Sequence, residues 1–390
     1  VGFDTPAAEC RARNRSRGKR IPVAALAAQL RTWATTRDLL ADEGYDLVLT
    51  PQPVRVVPEA FATAAAAARR QAADPTGLRF GLQVAEFLPP GGAAATRDWL
   101  REVAVGAEAA GFDAIYVMDH FRQIPQVGRA WDDLLESWTA LAYLAACTER
   151  VQLGTLVTGI TYRNVAHLGK IVATLDVLSG GRAVCGLGLA WFAAEHRAYG
   201  WDFPATTDRY ALLEDALQLL PLLWGPGSPA FRGRLLDVPE ATCYPRPLQA
   251  HVPVLLGGAG ERRTLRLAAR YADAANVFGD AGTVRHKTEV LHQHCHDVGR
   301  EPSAVTMTHL STTLVGEDDR HVERLVESRR PRNRSAAAHA ATVNAGTVED
   351  QVGRFRELAE AGAGEVIVRL PDLADPTALD RMARVIAAFR

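Results

Sequence analysis

The sequence predicts a (β/α)₈ barrel of the TIM type with insertions, preceded by an N-terminal extension. From residue 78 to residue 390, short apolar segments alternate with amphipathic segments, and the alternation repeats eight times. Alternating strands and helices favour a parallel sheet covered by helices, and eight repeats of this length are typical of a closed α/β barrel. An open, doubly wound parallel sheet is the alternative.

Residues 1–77 are predicted to be an extension with an alanine-rich linker and no activity of their own. Residues 60–73 are rich in alanine, and the following string DPTG is typical of a boundary. Upstream, a stretch with apolar residues at helical spacing precedes the string YDLVLTP. This part, residues 18–57, weakly resembles the C-terminal tail of amidase-signature hydrolases. The serine-rich nucleophile segment and the lysine that such hydrolases use are absent.

Residues 78–390 contain eight predicted strands, each a short apolar run followed by an amphipathic helix. The strands are 78–84, 113–118, 151–157, 182–189, 254–256, 274–278, 305–315 and 365–370. The helices are 96–110, 134–147, 165–178, 209–223, 262–272, 283–298, 349–361 and 377–389. Three longer connections, 191–208, 225–251 and 316–348, are predicted to be excursions outside the barrel.

Composition excludes several classes of protein. The chain has 44 basic and 45 acidic residues, so its charge gives no reason to expect a nucleic acid or an anionic membrane as partner. No apolar run reaches the roughly 20 residues of a membrane span. The five cysteines form no CxxC pair, which argues against a zinc or redox site and is typical of a reducing cytosol. We therefore expect a cytoplasmic protein that acts on a small molecule.

In a barrel of this type the chemistry lies where strands end and loops begin. The second predicted strand is followed by Asp119 and His120. A histidine at the barrel mouth can transfer protons near neutral pH, and the aspartate can orient it or bind a ligand. The alternative is that His120 caps the strand and bonds a loop carbonyl.

The third and fourth strands end in small residues. Gly154 allows a flat ligand to approach the backbone closely, and Thr155 and Thr158 supply hydroxyl groups. The alternative is that these residues fill a tapered barrel interior. After Gly188 the fourth strand lacks the third glycine of a dinucleotide fingerprint, which excludes a Rossmann site. Trp191 follows, either as a pocket wall or as a packed core residue.

The fifth strand runs into a glycine-rich segment that precedes a helix. Free backbone N–H groups at a helix start, with glycines and arginines nearby, favour an anion such as phosphate. The alternative is a tight turn without a ligand. The candidate binding residues are Gly257, Gly258, Ala259, Gly260, Glu261 and Arg262.

Two further clusters are predicted not to be sites. His292, His294 and His296 lie on a predicted helix but have no acidic third ligand, so we expect a solvated face and no metal. The basic run 329–334 is expected to be a surface segment, although it lies where a substrate lid could form.

Several longer strings resemble the luciferase-like monooxygenase family, most closely its branch of oxidoreductases that use the deazaflavin coenzyme F420. The similarity extends from residue 78 to the C-terminus, and residues 153–200 are its most specific part. The family fold is a (β/α)₈ barrel, in agreement with the count above. The strings are YVMDHF, LGTLVTGITYRNVAHLGKIVATLDVLSGGRAVCGLGLAWFAAEHRAYG, DRYALLEDALQLLPLLW and VLLGGAGERRTLRLAARYAD.

The resemblance implies roles at matching positions. His120 with Asp119 corresponds to the active-site pair beside the deazaflavin ring. Leu156 and Val157 fall where F420-using members have a cis peptide against the ring face, and the segment 258–260 matches the part that binds the phosphate-bearing tail. Sugar-phosphate dehydrogenases of the family have a glutamate where this chain has Trp191, which argues against a sugar-phosphate substrate.

The expected reaction is hydride transfer between F420 and a small organic substrate, with His120 handling the accompanying proton. One alternative is a monooxygenase of the same family that uses reduced FMN and oxygen. Another is a non-catalytic flavin-binding paralogue. Family members often pair through barrel helices, so a homodimer is compatible with this prediction.

Overall fold

The computed structural model describes residues 77–390 and four isolated positions nearer the N-terminus, Ala8, Arg11, Arg15 and Ala27. The predicted alanine-rich linker lies outside the described residues, as does all but Ala27 of the segment that resembles amidase-signature hydrolases. The boundary at residue 77 therefore stays a prediction.

Eight parallel strands form a closed barrel. The strands pair in chain order, and β8 pairs with β1, so that Phe80 lies opposite Val366 and the sheet has no open edge. The predicted barrel is confirmed and the open-sheet alternative is wrong. The strands are β1 Arg79–Val84, β2 Ala114–Val117, β3 Gln152–Thr155, β4 Ala183–Gly188, β5 Val254–Gly257, β6 Ala274–Val277, β7 Thr306–Thr312 and β8 Ala363–Arg369.

All eight predicted helices are present, and three further helices lie in the predicted excursions. The helices are α1 Thr96–Ala109, α2 Ser137–Cys147, α3 Val165–Leu178, α4 Ala193–Tyr199, α5 Thr206–Trp224, α6 Thr264–Tyr271, α7 Ala281–Asp297, α8 Asp319–Arg329, α9 Ala336–Thr342, α10 Val348–Glu360 and α11 Thr377–Ala387. The excursion between α5 and β5 contains a small antiparallel pair, Phe231–Arg232 with Asp237–Val238. No helix in residues 77–390 has the length and apolarity needed to cross a bilayer.

The barrel strands are buried on both faces, which explains why they appear in the sequence as continuous apolar runs. Their outward side chains pack against the helices in one large core. A smaller inner layer fills the barrel itself, with Tyr116 from β2, Val184 from β4 and Ile367 from β8 among its members. The interior is thus packed with side chains, and open space begins only beyond the strand ends.

The predicted seventh strand is too long. β7 ends at Thr312, and the segment Leu314–Gly316 pairs with Ala345–Thr347 in a separate two-stranded sheet. Leu314 packs in its own small cluster, away from the barrel core. An apolar run shows that its residues are buried, but not in which core they are buried, so the sequence could not separate the two strands.

Candidate active site

Four of the predicted site residues lie at one mouth of the barrel. His120, Val157, Trp191 and Gly258 each follow the carboxyl end of a parallel strand, β2 to β5, and these ends share one face. The rings of His120 and Trp191 are in edge-to-face contact, with centroids 5.7 Å apart. The two predicted parts of the site, the histidine and the glycine segment, therefore share a mouth.

His120 is held by a carboxylate that the sequence analysis does not single out. Its Nδ1 lies 3.0 Å from Oε2 of Glu195, a fully buried residue of α4. The Tyr162 hydroxyl donates to the same oxygen at 2.5 Å. The backbone N–H groups of Phe121 and Arg122 donate to Oε1 at 2.8 and 3.2 Å.

These contacts fix the charge state of the cluster. Burial opposes ionisation of Glu195, but the hydrogen bonds from His120, Tyr162 and the backbone outweigh it and hold the pKa of Glu195 below its ordinary value. Burial, followed by the bond to Glu195, raises the pKa of Tyr162 well above its ordinary value, so its hydroxyl stays protonated. An ionised Glu195 can only accept, and Nδ1 of His120 must therefore carry a hydrogen.

The other ring nitrogen of His120 is available to a ligand. Within residues 77–390, Nε2 has no hydrogen-bond partner and is accessible to solvent. Trp191 and Phe192 stand beside the ring, with centroids 5.7 and 6.0 Å from it. A buried imidazole with one nitrogen fixed and the other open is suited to exchange a proton with a bound molecule.

Asp119 has a different set of partners. Arg163 forms a two-point ion pair with its carboxylate at 2.6 and 3.0 Å, and the hydroxyl groups of Ser137 and Thr158 donate to it at 2.6 and 2.7 Å. No hydrogen bond joins Asp119 to the imidazole of His120, which is oriented by Glu195 instead. Asp119 thus connects the segment after β2 to α2 and to the segment after β3.

The peptide bond between Leu156 and Val157 is cis, as the family resemblance implies. Gln83 of β1 donates through Nε2 to the Leu156 carbonyl at 3.3 Å. The Val157 side chain lies over two glycines of the neighbouring strands, since a Cβ on Gly188 or Gly257 would come within 2.6 or 2.8 Å of its Cγ2. Both glycines thus make room for Val157 at the mouth.

The other candidate residues of the third strand are buried and pack within the protein. The hydroxyl of Thr155 bonds that of Thr158 and the Gly186 carbonyl at 3.0 and 3.1 Å. Gly154 lies against β4, because a Cβ there would come within 2.6 Å of the Val184 carbonyl oxygen. This geometry agrees with the alternative that small residues fill the barrel at this strand.

The glycine segment after β5 exposes free backbone donors. The N–H groups of Ala259, Gly260 and Glu261 have no backbone or side-chain acceptor in the described part of the chain. Gly258 has φ +132°, a conformation that favours glycine. Adjacent free N–H groups just before a helix form a site for an anion.

The two charged residues at the end of this segment differ in their contacts. The carboxylate of Glu261 accepts hydrogen bonds from Lys287 and His286. The side chain of Arg262 is exposed.

A cavity of about 220 Å³ opens at the same mouth, between the ends of β1 and β8. Gln83, Trp99 and Leu370 line it together with an ion pair between Arg369 and Glu86, at 2.8 Å. Since Gln83 also bonds the Leu156 carbonyl, the cavity adjoins the cis peptide.

Within residues 77–390, neither of the two clusters that the sequence predicts not to be sites bonds His120 or Glu195. His292 and His296 are exposed on α7, and His294 bonds the Glu261 carbonyl at 2.8 Å. Residues 77–390 contain no group of three or more potential metal ligands. The basic run 329–334 connects α8 to α9.

Sequence reasoning missed Glu195 and Tyr162 as members of the site. The candidates were residues that directly follow each predicted strand. After the fourth strand the last candidate is Trp191, four positions before Glu195. The available signal was an acidic residue in the excursion at the carboxyl end of β4. Nothing in the local sequence indicates that this carboxylate bonds a histidine 75 positions earlier in the chain.

Comparisons with known proteins identify related sequences and similar folds. The luciferase-like monooxygenase family model matches residues 84–369. An F420-dependent glucose-6-phosphate dehydrogenase of Kineococcus radiotolerans is 39% identical over 163 residues, 41% of this chain and 47% of the relative. Pyrimidine monooxygenase RutA of Pseudomonas syringae is 32% identical over 183 residues, 46% and 49% of the two chains. This chain thus spans about half the length of these relatives.

Solved structures show the same fold at low sequence identity. An F420-dependent secondary alcohol dehydrogenase, in complex with an F420–acetone adduct, superposes with a TM-score of 0.65 at 21% identity. The match covers 80% of this chain and 99% of that chain.

Proposed function

Because the chain belongs to the luciferase-like monooxygenase family, we propose that it is an oxidoreductase that transfers a hydride between coenzyme F420 and a small organic substrate. The observation that carries this proposal is the pairing of His120 with an ionised Glu195 at the same mouth as a segment of free backbone donors. The His120–Glu195 pair is suited to exchange a proton, and the free backbone N–H groups are suited to bind an anion.

The residues at the mouth fit a deazaflavin with a phosphate-bearing tail. The N–H groups of Ala259, Gly260 and Glu261 would hold the phosphate. Val157, placed over Gly188 and Gly257, would support one face of the ring. When bound, F420 supplies a ring carbon that accepts or releases a hydride.

His120 exchanges the proton that accompanies the hydride. The bond to Glu195 keeps the hydrogen on Nδ1, so Nε2 is the exchanging atom. When a hydride leaves the substrate carbon, neutral Nε2 takes the proton that the substrate loses, and Glu195 stabilises the resulting imidazolium. In the reverse direction Nε2 returns that proton.

We place the substrate in the cavity between the ends of β1 and β8. Its volume of about 220 Å³ suits a small molecule, and its wall combines Trp99 and Leu370 with the Glu86–Arg369 ion pair. The substrate would therefore be a compact, partly polar molecule. Glu195 is buried behind His120 and already accepts four hydrogen bonds, so it is not a proton donor for a sugar phosphate.

Separate titrations with F420 and FMN test the proposal. We expect oxidised F420 to bind the purified protein with a Kd of about 1 µM or below, since the site offers both ring contacts and a phosphate anchor. Fluorescence and absorbance report binding. Tight binding of FMN with no binding of F420 would favour the monooxygenase alternative, and binding of neither would favour the non-catalytic one.

Replacing His120 with alanine is expected to reduce kcat by about 10²-fold or more while cofactor affinity changes little, because the imidazole moves a proton rather than anchoring the tail. The variant is measured by steady-state turnover and by cofactor titration. The matched control is His292→Ala, which removes an exposed imidazole on α7. Unchanged turnover in His120→Ala would contradict the role of His120.

A further inference from the structure

A groove rich in arginine runs along the outside of the barrel beside the glycine segment. It lies between α5 and α6, has a volume of about 590 Å³ and is lined by Tyr210 and by five arginines. We refer to it as the arginine groove. Its arginines are Arg234, Arg262, Arg263, Arg266 and Arg270.

Positive charge predominates in the arginine groove. Its two carboxylates are engaged: Glu214 pairs with Arg270 at 3.2 Å, and Asp215 accepts three backbone N–H groups from residues 234–236. The four remaining arginines have no carboxylate partner among residues 77–390. Four unpaired guanidinium groups around one groove favour a ligand with several carboxylate or phosphate groups.

The arginine groove is continuous with the predicted phosphate site. The Tyr210 hydroxyl lies 2.9 Å from Thr264 Oγ1, and a Cβ on Gly260 would come within 3.4 Å of the same hydroxyl. The guanidinium of Arg263 lies 5.2 Å from the centroid of the Tyr210 ring. Tyr210 thus borders the glycine segment and also lines the arginine groove.

We propose that the arginine groove binds the oligoglutamate tail of coenzyme F420, the chain of carboxylates that continues from the cofactor's phosphate. This inference rests on the proposed function, because it requires the phosphate to lie at the segment 259–261. A molecule anchored there continues past Tyr210 toward Arg263 and Arg266. Guanidinium groups bind carboxylates through two parallel hydrogen bonds, so successive glutamates find matching donors.

The test compares two forms of the cofactor that differ only in the tail. Binding of F420 with four or more glutamates and of the same deazaflavin phospholactate without glutamate is followed by fluorescence at low and high salt. We expect the tailed form to bind about tenfold more tightly at low salt, and this advantage to shrink at high salt. In the double variant Arg234→Gln and Arg266→Gln most of the advantage should disappear, with an unchanged Kd for the tailless form.

The control double variant is Arg320→Gln and Arg324→Gln, which removes the same charge from the exposed face of α8. It should keep the advantage of the tailed form. Equal affinity of the wild type for both forms, or a full advantage in the arginine groove variant, would overturn the inference while leaving the proposed function intact. Binding of neither form would overturn both.

Discussion

Replacing Glu195 with glutamine is expected to lower kcat by about 10²–10⁴-fold, with little change in cofactor affinity. The carboxylate accepts from Nδ1 of His120, from the Tyr162 hydroxyl and from two backbone N–H groups. An amide has only one accepting oxygen, so its NH₂ group must face one of these donors. If the NH₂ group faces Nδ1, the imidazole hydrogen moves to Nε2, and the exchanging nitrogen is blocked.

Two comparisons separate this role from a general loss of structure. Glu195→Asp keeps a carboxylate and should recover part of the lost kcat. Glu365→Gln removes another buried carboxylate, which accepts from the Tyr116 hydroxyl at 3.1 Å at the opposite end of the barrel, and it should leave kcat unchanged. A Glu195→Gln enzyme with wild-type kcat would exclude Glu195 as the residue that orients His120.

Unfolding as a function of pH gives an independent measurement on Glu195. Because the pKa of Glu195 is lowered in the folded state, its ionised form contributes stability above the ordinary value of 4.5. That contribution is lost as the pH falls through the folded-state value. The difference in the free energy of unfolding between the wild type and Glu195→Gln should therefore become smaller as the pH falls below 4.5.

Replacing Gly186 with alanine is expected to destabilise the barrel by about 3 kcal/mol or more. A Cβ at this position would lie 1.8 Å from the carbonyl oxygen of Thr155. That oxygen belongs to the backbone of β3, and both strands are fixed in a closed sheet, so neither can move without breaking its pairing. The same shift would displace the Thr155–Thr158–Asp119 hydrogen bonds, and activity should fall together with stability.

Denaturant unfolding measures this effect, with Gly353→Ala as the matched control. Gly353 lies on the exposed face of α10, where a Cβ would meet nothing within 4 Å. Alanine is the better helix former, so the control should be neutral or more stable by about 0.5–1 kcal/mol. A Gly186→Ala protein as stable as the control would contradict the close approach of the two strands.

The position of two candidate segments at the barrel mouth follows from local sequence. His120 and the segment 257–260 each follow an apolar run that forms a barrel strand, and parallel strands bring their carboxyl ends to one mouth. The cis peptide at Leu156–Val157 was expected only from the family resemblance. No periodicity or spacing in the residues themselves predicts it.

Partners across the mouth were decided by the tertiary structure. Asp119 is the neighbour of His120 in sequence, yet it pairs with Arg163, whereas His120 bonds Glu195 from an excursion 75 positions away. The cause is the packing of α4, a helix within the predicted excursion 191–208, which brings a buried carboxylate behind the imidazole.

By itself, the sequence of residues 78–390 determined the number, order and type of the barrel elements and the end of the barrel that carries the polar residues. Hydrophobic periodicity encodes this information, because it records which side chains leave water. Only the tertiary structure decided which polar groups form hydrogen bonds with each other. It also decided in which core each apolar segment is buried, as Leu314 in its separate cluster shows. Hydrogen bonds act over about 3 Å, and such distances arise only when segments far apart in the chain have packed.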